Sequence, residues 1–301
     1  MKKTLPILIC LLVLSSCVKD DISNCAGMMR FHFRFMYGST NRFFDMEKTD
    51  LTAHFYQSGK PFRYRELDVN RAEIKPDRPL TIEKMPDDNG SLEFVSWSKD
   101  PAANYINTPG TPMGKGYVLL KEITDGSGIC RPVDDLFYGR REFEINDRMR
   151  SDDITVDYVR AVCRVRITLI PSTISDGAEN PGGMPNPDDY TFQLLGTRNI
   201  IDDNNITSGE EITLEPLCYY DGVSGNIVTD WFGAFASAED QYLKVGVYLR
   251  GRQVAFFDCT KAEIASIPGN YIDLIIDRTF VFTQMAVLVN GWKVASITTN
   301  M

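Results

Sequence analysis

Apolar and polar residues alternate along this chain with a period of two, in short runs broken by Gly, Pro, Asn and Asp. That is the pattern of half-buried strands rather than of amphipathic helices. Phe31, Phe33 and Phe35 face one way and His32, Arg34 and Met36 the other, so residues 29–35 read as a strand with an aromatic inner face. Residues 51–56 follow, closed by Ser58-Gly59-Lys60-Pro61. Strands at 80–85 and 92–97 flank Pro86-Asp87-Asp88-Asn89-Gly90, the composition of a hairpin loop. Residues 98–116 read as a long irregular connection. Strands at 117–123 and 142–145, with a turn at Gly139, complete a set that fits one sandwich. The charged run 146–153 lacks apolar periodicity and places a domain junction near residue 153.

Beyond the junction, residues 159–170 read as one long strand. Ala161, Cys163, Val165, Ile167 and Leu169 form its buried face, against Val162, Arg164, Arg166 and Thr168. Further strands are expected at 190–195, 211–217, 243–249, 254–258 and 271–276. Residues 172–189 have the composition of an exposed loop, and 261–267 suit a short helix stopped by Pro268-Gly269. In the tail, two apolar runs flank Asn290-Gly291, a strong hairpin signal because both central residues of the tight turn take positive φ.

The first residues differ from everything that follows. Lys2 and Lys3, an apolar run over residues 5–14 and small residues at Ser15-Ser16 make a secretory signal. The run is too short to span a hydrocarbon layer of roughly 30 Å. Cys17, directly after Leu14-Ser15-Ser16, resembles a bacterial lipobox. The resemblance implies cleavage after residue 16 and acylation of Cys17, which tethers the mature chain to a membrane through residues 17–28. Lys19-Asp20-Asp21 is similar to the short acidic signal that sends some lipoproteins to the outer face of the outer membrane. The remaining length suits two domains of roughly 100 to 150 residues, here 29–153 and 154–301.

Composition narrows the function classes. The net charge of -9 excludes a basic nucleic-acid footprint, and 43% hydrophobic residues exclude wholesale disorder. After the signal and Cys17, five cysteines remain, so at least one is unpaired within the chain. Cys25 and Cys130, beside turn-like sequence, are the candidate disulfide, and Cys163 reads as a buried apolar residue. With no CxxC and only His32 and His54 for imidazole, neither a zinc site nor another metal or cofactor is expected. Both histidines fall in expected strands, away from the loops that present catalytic groups, and no GxSxG, Walker or HExxH sequence is present. No catalytic residue is assigned. Asp202-Asp203-Asn204-Asn205 reads as a polar turn, lacking the spaced ligands of a calcium loop. Trp97, Trp231 and Trp292 read as packing residues.

Several stretches together, in order, are similar to the fimbrillin-A-associated anchor proteins, FimB-type anchor subunits of type V pili. They are the lipobox at Cys17, Asn24-Cys25 before the first strand, and Asp45 leading into Leu51-Thr52-Ala53-His54-Phe55-Tyr56-Gln57-Ser58-Gly59. Phe94-Val95-Ser96-Trp97, Asp135-Leu136-Phe137-Tyr138-Gly139, Tyr158-Val159-Arg160-Ala161-Val162-Cys163-Arg164-Val165, Tyr271-Ile272-Asp273-Leu274-Ile275-Ile276 and Val289-Asn290-Gly291-Trp292 continue the pattern. The resemblance implies an all-β fold of two tandem transthyretin-like, Greek-key β-sandwich domains. It also implies an outer-membrane lipoprotein at the base of a fimbria, with fimbrial shaft subunits as partners and no small-molecule substrate. In such pili a C-terminal strand of one subunit fills a groove in its neighbour, which is β-augmentation. Residues 280–301 are the expected donor segment, with Val287, Val289 and Trp292 as pocket fillers. The alternative reading is a surface adhesin or tip subunit binding a host glycan or protein.

Overall fold

A computed structural model describes residues 27–37, 40–41, 50–57, 63–75, 77–84, 90–99, 104–108, 116–124, 126–133, 135–145, 150–170, 186–237, 242–259, 267–277, 284–289 and 292–298. Among the described residues every regular element is a strand, apart from 3-10 turns at Arg71–Glu73 and Pro187–Asp189, so the chain is all-β.

The first sheet contains β1 (Met28–Tyr37), β2 (Thr40–Asn41), β3 (Leu51–Gln57), β4 (Arg63–Val69), β5 (Leu80–Glu83), β6 (Gly90–Ser98), β10 (Phe137–Ile145) and β11 (Asp152–Arg160). Its order is β2-β1-β11-β10-β6-β3-β4, with β5 also on β1. β1 runs parallel to β11, from Met29 opposite Asp152 to Met36 opposite Val159, and its other edge pairs with β5 and β2. The alternation of β1 is realised: Met29, Phe31, Phe33 and Phe35 are buried, while His32 and Arg34 are exposed. The Phe31 ring lies 5.0 Å from that of Phe94, and Phe33 meets Tyr158 edge-on at 5.5 Å. Burying each such ring contributes roughly 1.5–3 kcal/mol.

The second sheet contains β12 (Cys163–Ile170), β15 (Cys218–Asp221), β16 (Asn226–Thr229), β17 (Phe232–Ala234), β20 (Tyr271–Asp277), β21 (Gln284–Val289) and β22 (Trp292–Thr298). The third contains β7 (Tyr105–Thr108), β8 (Tyr117–Leu120), β9 (Ile129–Cys130), β13 (Tyr190–Ile201), β14 (Thr207–Leu214), β18 (Lys244–Leu249) and β19 (Arg252–Asp258). These two sheets share one apolar core, in which Val165, Ile167, Leu274 and Ile276 meet Phe192, Leu194, Val245 and Val247. Tyr56, Val95, Trp97 and Tyr138, from the outer face of the first sheet, join the same core. That sheet is therefore buried on both faces at its centre. This is why residues 51–56 and 92–98 are buried without alternation, as expected of a strand covered on two sides.

Five expectations are corrected. First, residues 80–85 and 92–97 form no hairpin, because β5 pairs with β1 while β6 pairs with β3 and β10. Second, the connection expected over 98–116 holds β7. Third, residues 159–170 are two strands in different sheets, β11 and β12, separated by the buried pair Ala161 and Val162. The phase of burial slips there: Ile154, Val156 and Tyr158 are even-numbered, whereas Cys163, Val165, Ile167 and Leu169 are odd. Fourth, residues 117–120 pair with β7 and β13, not with the strands of the first sheet, because Val118 and Leu120 are apolar positions that cover the core shared with β13. Fifth, Gly139 marks no turn. It lies inside β10, where the ring of Tyr158 on β11 lies against the space its side chain would fill. A Cβ at Gly139 would stand 2.8 Å from Cζ of Tyr158, whose ring is fully buried. The expected helix at 261–267 lies outside the described residues except for Ile267, which is in none.

Gly139→Ala is therefore expected to destabilise the protein by about 1–3 kcal/mol, the usual effect of overpacking. Gly222→Ala, whose methyl meets nothing within 4 Å, is the neutral control in the same denaturant titration. Equal midpoints for the two variants would mean that the Tyr158 ring has room to move.

Candidate functional site

At the start of β1 the chain is held from both sides. The backbone N–H of Lys84, just after β5, donates to the Gly27 carbonyl at 2.9 Å. The Lys84 side chain is fully buried and crosses β1 to its other edge. There Nζ donates to the Arg150 carbonyl at 2.6 Å and lies 2.5 Å from Oδ2 of Asp152. Lys84 is the buried end of this pair and Asp152 is partly exposed, so losing the carboxylate would leave a buried ammonium short of its counter-charge. Lys84 ties β5, β1 and β11 together where β1 begins.

The solvent face of β1 carries a second set of contacts. Arg30 reaches Asp153 at 2.6 Å, and Arg34 grips Asp157 with Nε and Nη2 at 2.6 and 2.7 Å. Nε2 of His32 lies 3.1 Å from Oδ1 of Asp153. Arg30 with Asp153 and Arg34 with Asp157 are direct register partners across the parallel pair. Exposed pairs add little individually, but these favour one register of β1 on β11 over its neighbours.

At the other end of the chain, β21 pairs antiparallel with β20, and β22 with β21. Val289 stands opposite Leu274 and Trp292, and Val287 opposite Ile276 and Ala295. The side chains of Val287, Val289 and Trp292 lie outside the described residues, as do Asn290 and Gly291. Among the described residues β22 has β21 as its one strand neighbour, so it is a sheet edge with backbone groups able to accept another strand.

Cys17, Lys19, Asp20, Asp21 and Cys25 lie outside the described residues. Cys130 is buried in β9 with a free thiol, which burial and then Glu122 push up to about 11, so it stays protonated and inert. Cys163 is buried, as its alternation indicated. His54 is buried in β3 with its ring 5.8 Å from that of Trp97, and Trp97 is core. In the Asp202 turn, Oδ1 of Asp202 accepts from the backbone of Asn204 and Ile206 at 2.9 and 2.8 Å. The turn docks on β10: Tyr138 donates to the Asp203 carbonyl at 2.6 Å, and Arg140 to Oδ1 of Asn204. Oδ1 of Asp202 and Oδ1 of Asn204 thus serve the fold. Among the described residues no group of three or more His, Cys, Asp and Glu is arranged to hold a metal, and no helix is long and apolar enough to cross a membrane. Trp231 lies under the guanidinium of Arg166, 4.9 Å from its ring centre and held by Asp273. It meets Tyr271 edge-on at 5.4 Å.

Residues 22–298 match the family model of the fimbrillin-A associated anchor proteins Mfa1 and Mfa2. The chain belongs to this family. Among solved structures, the fimbrial anchor protein Mfa2 from Porphyromonas gingivalis is similar at 13% identity and a TM-score of 0.62, over 90% of this chain and 100% of that one. A candidate adhesin from Bacteroides ovatus gives 14% identity and a TM-score of 0.63, over 92% and 96%. A candidate polysaccharide-binding protein from Bacteroides thetaiotaomicron gives 14% and 0.61, over 91% and 98%. At these identities the likeness is one of fold. No match was found among curated proteins. The fimbrillin-A associated anchor proteins are non-enzymatic structural proteins, and membership implies a place at the cell surface within a fimbrial system.

The sequence reading passed over Lys84 and Asp152. A signal existed, since Lys84 sits in phase with the buried Ile82, an inward position where a lysine needs a partner. What carried no local trace was the identity of that partner, 68 positions along the chain.

Acid should loosen the β1 ladder. Hydrogen bonding from His32 holds the Asp153 carboxyl below its ordinary value of 3.8; desolvation opposes it, and Arg30 adds to the lowering. A carboxyl depressed in the folded state contributes stability that is present above its unfolded value and lost as pH falls through its folded value. Asp153→Asn is therefore expected to lower Tm at neutral pH, with the difference from the parent closing as pH falls through the folded-state value of Asp153. A difference that stays constant as the carboxyl protonates would show that the Asp153 charge plays no part.

Proposed function

We propose that this protein is an outer-membrane lipoprotein, attached through an acylated Cys17, that ends a fimbria at the cell surface by donating its C-terminal segment to a shaft subunit. Its two halves are read as tandem transthyretin-like sandwiches. Family membership supports a fimbrial role, and the lipobox resemblance and Lys19-Asp20-Asp21 support the tether and its destination.

The observation that carries the one-ended role is the hold on β1. A groove for a neighbour's strand opens in a subunit only when its own first strand leaves. Here four apolar side chains of β1 are buried, both its edges are paired, and Lys84 closes its start. Arg140 and Arg160, both within strands near the junction, are poor points for a maturing cleavage. Arg140 lies within β10 beside Glu93, Arg160 ends β11 on Asp135, and the Arg150 carbonyl is engaged by Lys84. Cutting at strand positions first requires local unfolding. Such a subunit keeps its own groove filled but still presents a tail at a sheet edge, with Val287, Val289 and Trp292 as the residues that would fill pockets in the partner.

The adhesin reading draws on the surface around Trp231, where Tyr219 and Tyr271 are about 45% and 41% exposed. A guanidinium already covers a face of the tryptophan, which weakens it as a stacking platform for sugars.

Two variants test the anchor. With Cys17→Ala, fimbriae are expected in the medium rather than on cells. With residues 280–301 deleted, the lipoprotein should remain at the surface, with an unchanged proteolysis pattern for the first sheet, but no longer co-purify with shaft subunits. Shaft recovery undiminished by the deletion would overturn strand donation, and fimbriae retained by Cys17→Ala cells would overturn the tether.

A further inference from the structure

We infer that this chain is built to carry tension between its two ends, through two parallel strand pairs that are loaded in shear. The source of the load rests on the anchoring role proposed above, but the resistance itself follows from topology. The chain arrives at the N-terminal end of β1 and leaves the first sheet from the C-terminal end of β11. Those strands are direct neighbours and parallel, so the two points of load lie at opposite ends of one ladder. A pull between them slides β1 along β11 and strains all the hydrogen bonds from Met29 to Met36 together. A pull on two ends at the same side would break them in turn. The second sheet holds a second parallel pair, β12 and β20, adjacent from Arg164 opposite Tyr271 to Ile170 opposite Asp277. It takes the same load once β21 and β22, which follow β20 in that sheet, have been drawn off it.

Side chains are placed to resist that sliding. Arg30 and Asp153, Arg34 and Asp157, and Arg166 and Asp273 are each register partners across a parallel pair, joined at 2.6 Å, 2.6 Å and 2.5 Å. Slippage by one residue would separate every one of them and turn the aromatic face of β1 out of the core. Lys84 closes the point at which tension reaches β1. Between the two ladders the connection is Ala161 and Val162, both buried. Ala161 N–H donates to the Leu136 carbonyl at 2.8 Å, and the Val162 carbonyl accepts from Gly269 N–H at 2.9 Å, so little slack separates the halves.

Single-molecule stretching of the purified full-length mature chain, made soluble by Cys17→Ser, tests this. One set of molecules is held at the N- and C-termini. A second is held at the N-terminus and at Ser151→Cys, beside the start of β11, with other accessible thiols replaced by serine. The second geometry peels β1 from β11 instead of shearing it. Opening the first sheet is expected to need at least about twofold more force in the first geometry, because forced unfolding follows the unfolding barrier along the pulled direction. Arg30→Gln with Arg34→Gln should lower the shear force and leave the peeling force nearly unchanged. The exchange Arg34→Asp with Asp157→Arg should keep the shear force near that of the parent. Equal forces in the two geometries would overturn the inference. The measurement needs neither lipid nor fimbria, so a weak clamp would leave the anchoring role standing, and failed anchoring in cells would leave the clamp standing.

Discussion

The parallel pairing of β1 with β11 is the constraint on which the rest of this molecule depends. β1 presents Met29, Phe31, Phe33 and Phe35 to one side, an apolar face too large to leave in water, and that face meets the aromatic rings of the first sheet. Parallel neighbours cannot be joined by a tight turn, so the chain between them has to make a long excursion. It uses that excursion to lay down β2 to β10 before returning. The sheet therefore closes only when residues 152–160 arrive, and β1 is held by chain far from it in sequence.

The excursion also explains why the halves are not independent beads. On the way from β6 to β10, residues 104–136 leave the first sheet and contribute β7, β8 and β9 to the third. Tyr105, Val118, Leu120, Cys130, Val133 and Leu136 lie in the core formed with β12, β13 and β20, and Tyr56 and Trp97 of the first sheet reach into it. Arg160 then closes the junction. It binds Asp135 at 2.8 Å through Nε and donates to the Tyr271 hydroxyl at 2.7 Å, and its guanidinium lies 5.4 Å from the ring centres of Phe137 and Tyr271. Burial raises the Asp135 carboxyl against the pull of that guanidinium, so the pair is a desolvated one whose value lies in geometry as much as in energy.

The features that looked chemical in the chain became structural in the fold. Burial pushes up the thiols of Cys130, Cys163, Cys218 and Cys259, disfavouring the thiolate. His54 is enclosed beside Trp97, and in the Asp202 turn Oδ1 of Asp202 accepts from backbone N–H groups while the Asp203 carbonyl accepts from Tyr138 on β10. Among the described residues the surface carries a sheet edge, a set of cross-strand charges and the aromatic cluster at Trp231, in keeping with a family of fimbrial anchor proteins.

The sequence alone determined what depends on near neighbours. Period-two alternation set the strands and their inner faces, as at Phe31, Phe33 and Phe35, and the buried place of Cys163 followed from its phase with Val165 and Ile167. The paired tail strands on either side of Asn290-Gly291 were legible for the same reason. The tertiary structure decided which strand lies beside which. Alternation at residues 159–170 looks the same whether one strand is present or two, and nothing local sends 152–160 back to β1 or 117–120 across to β13. The glycine at 139 reads as a turn until Tyr158 is placed beside it, and the inward phase of Lys84 names no partner until Asp152 arrives. A pattern of side chains states which face wants burial, but partner choice is settled by the whole set of apolar faces closing together, and that set exists only in the folded chain.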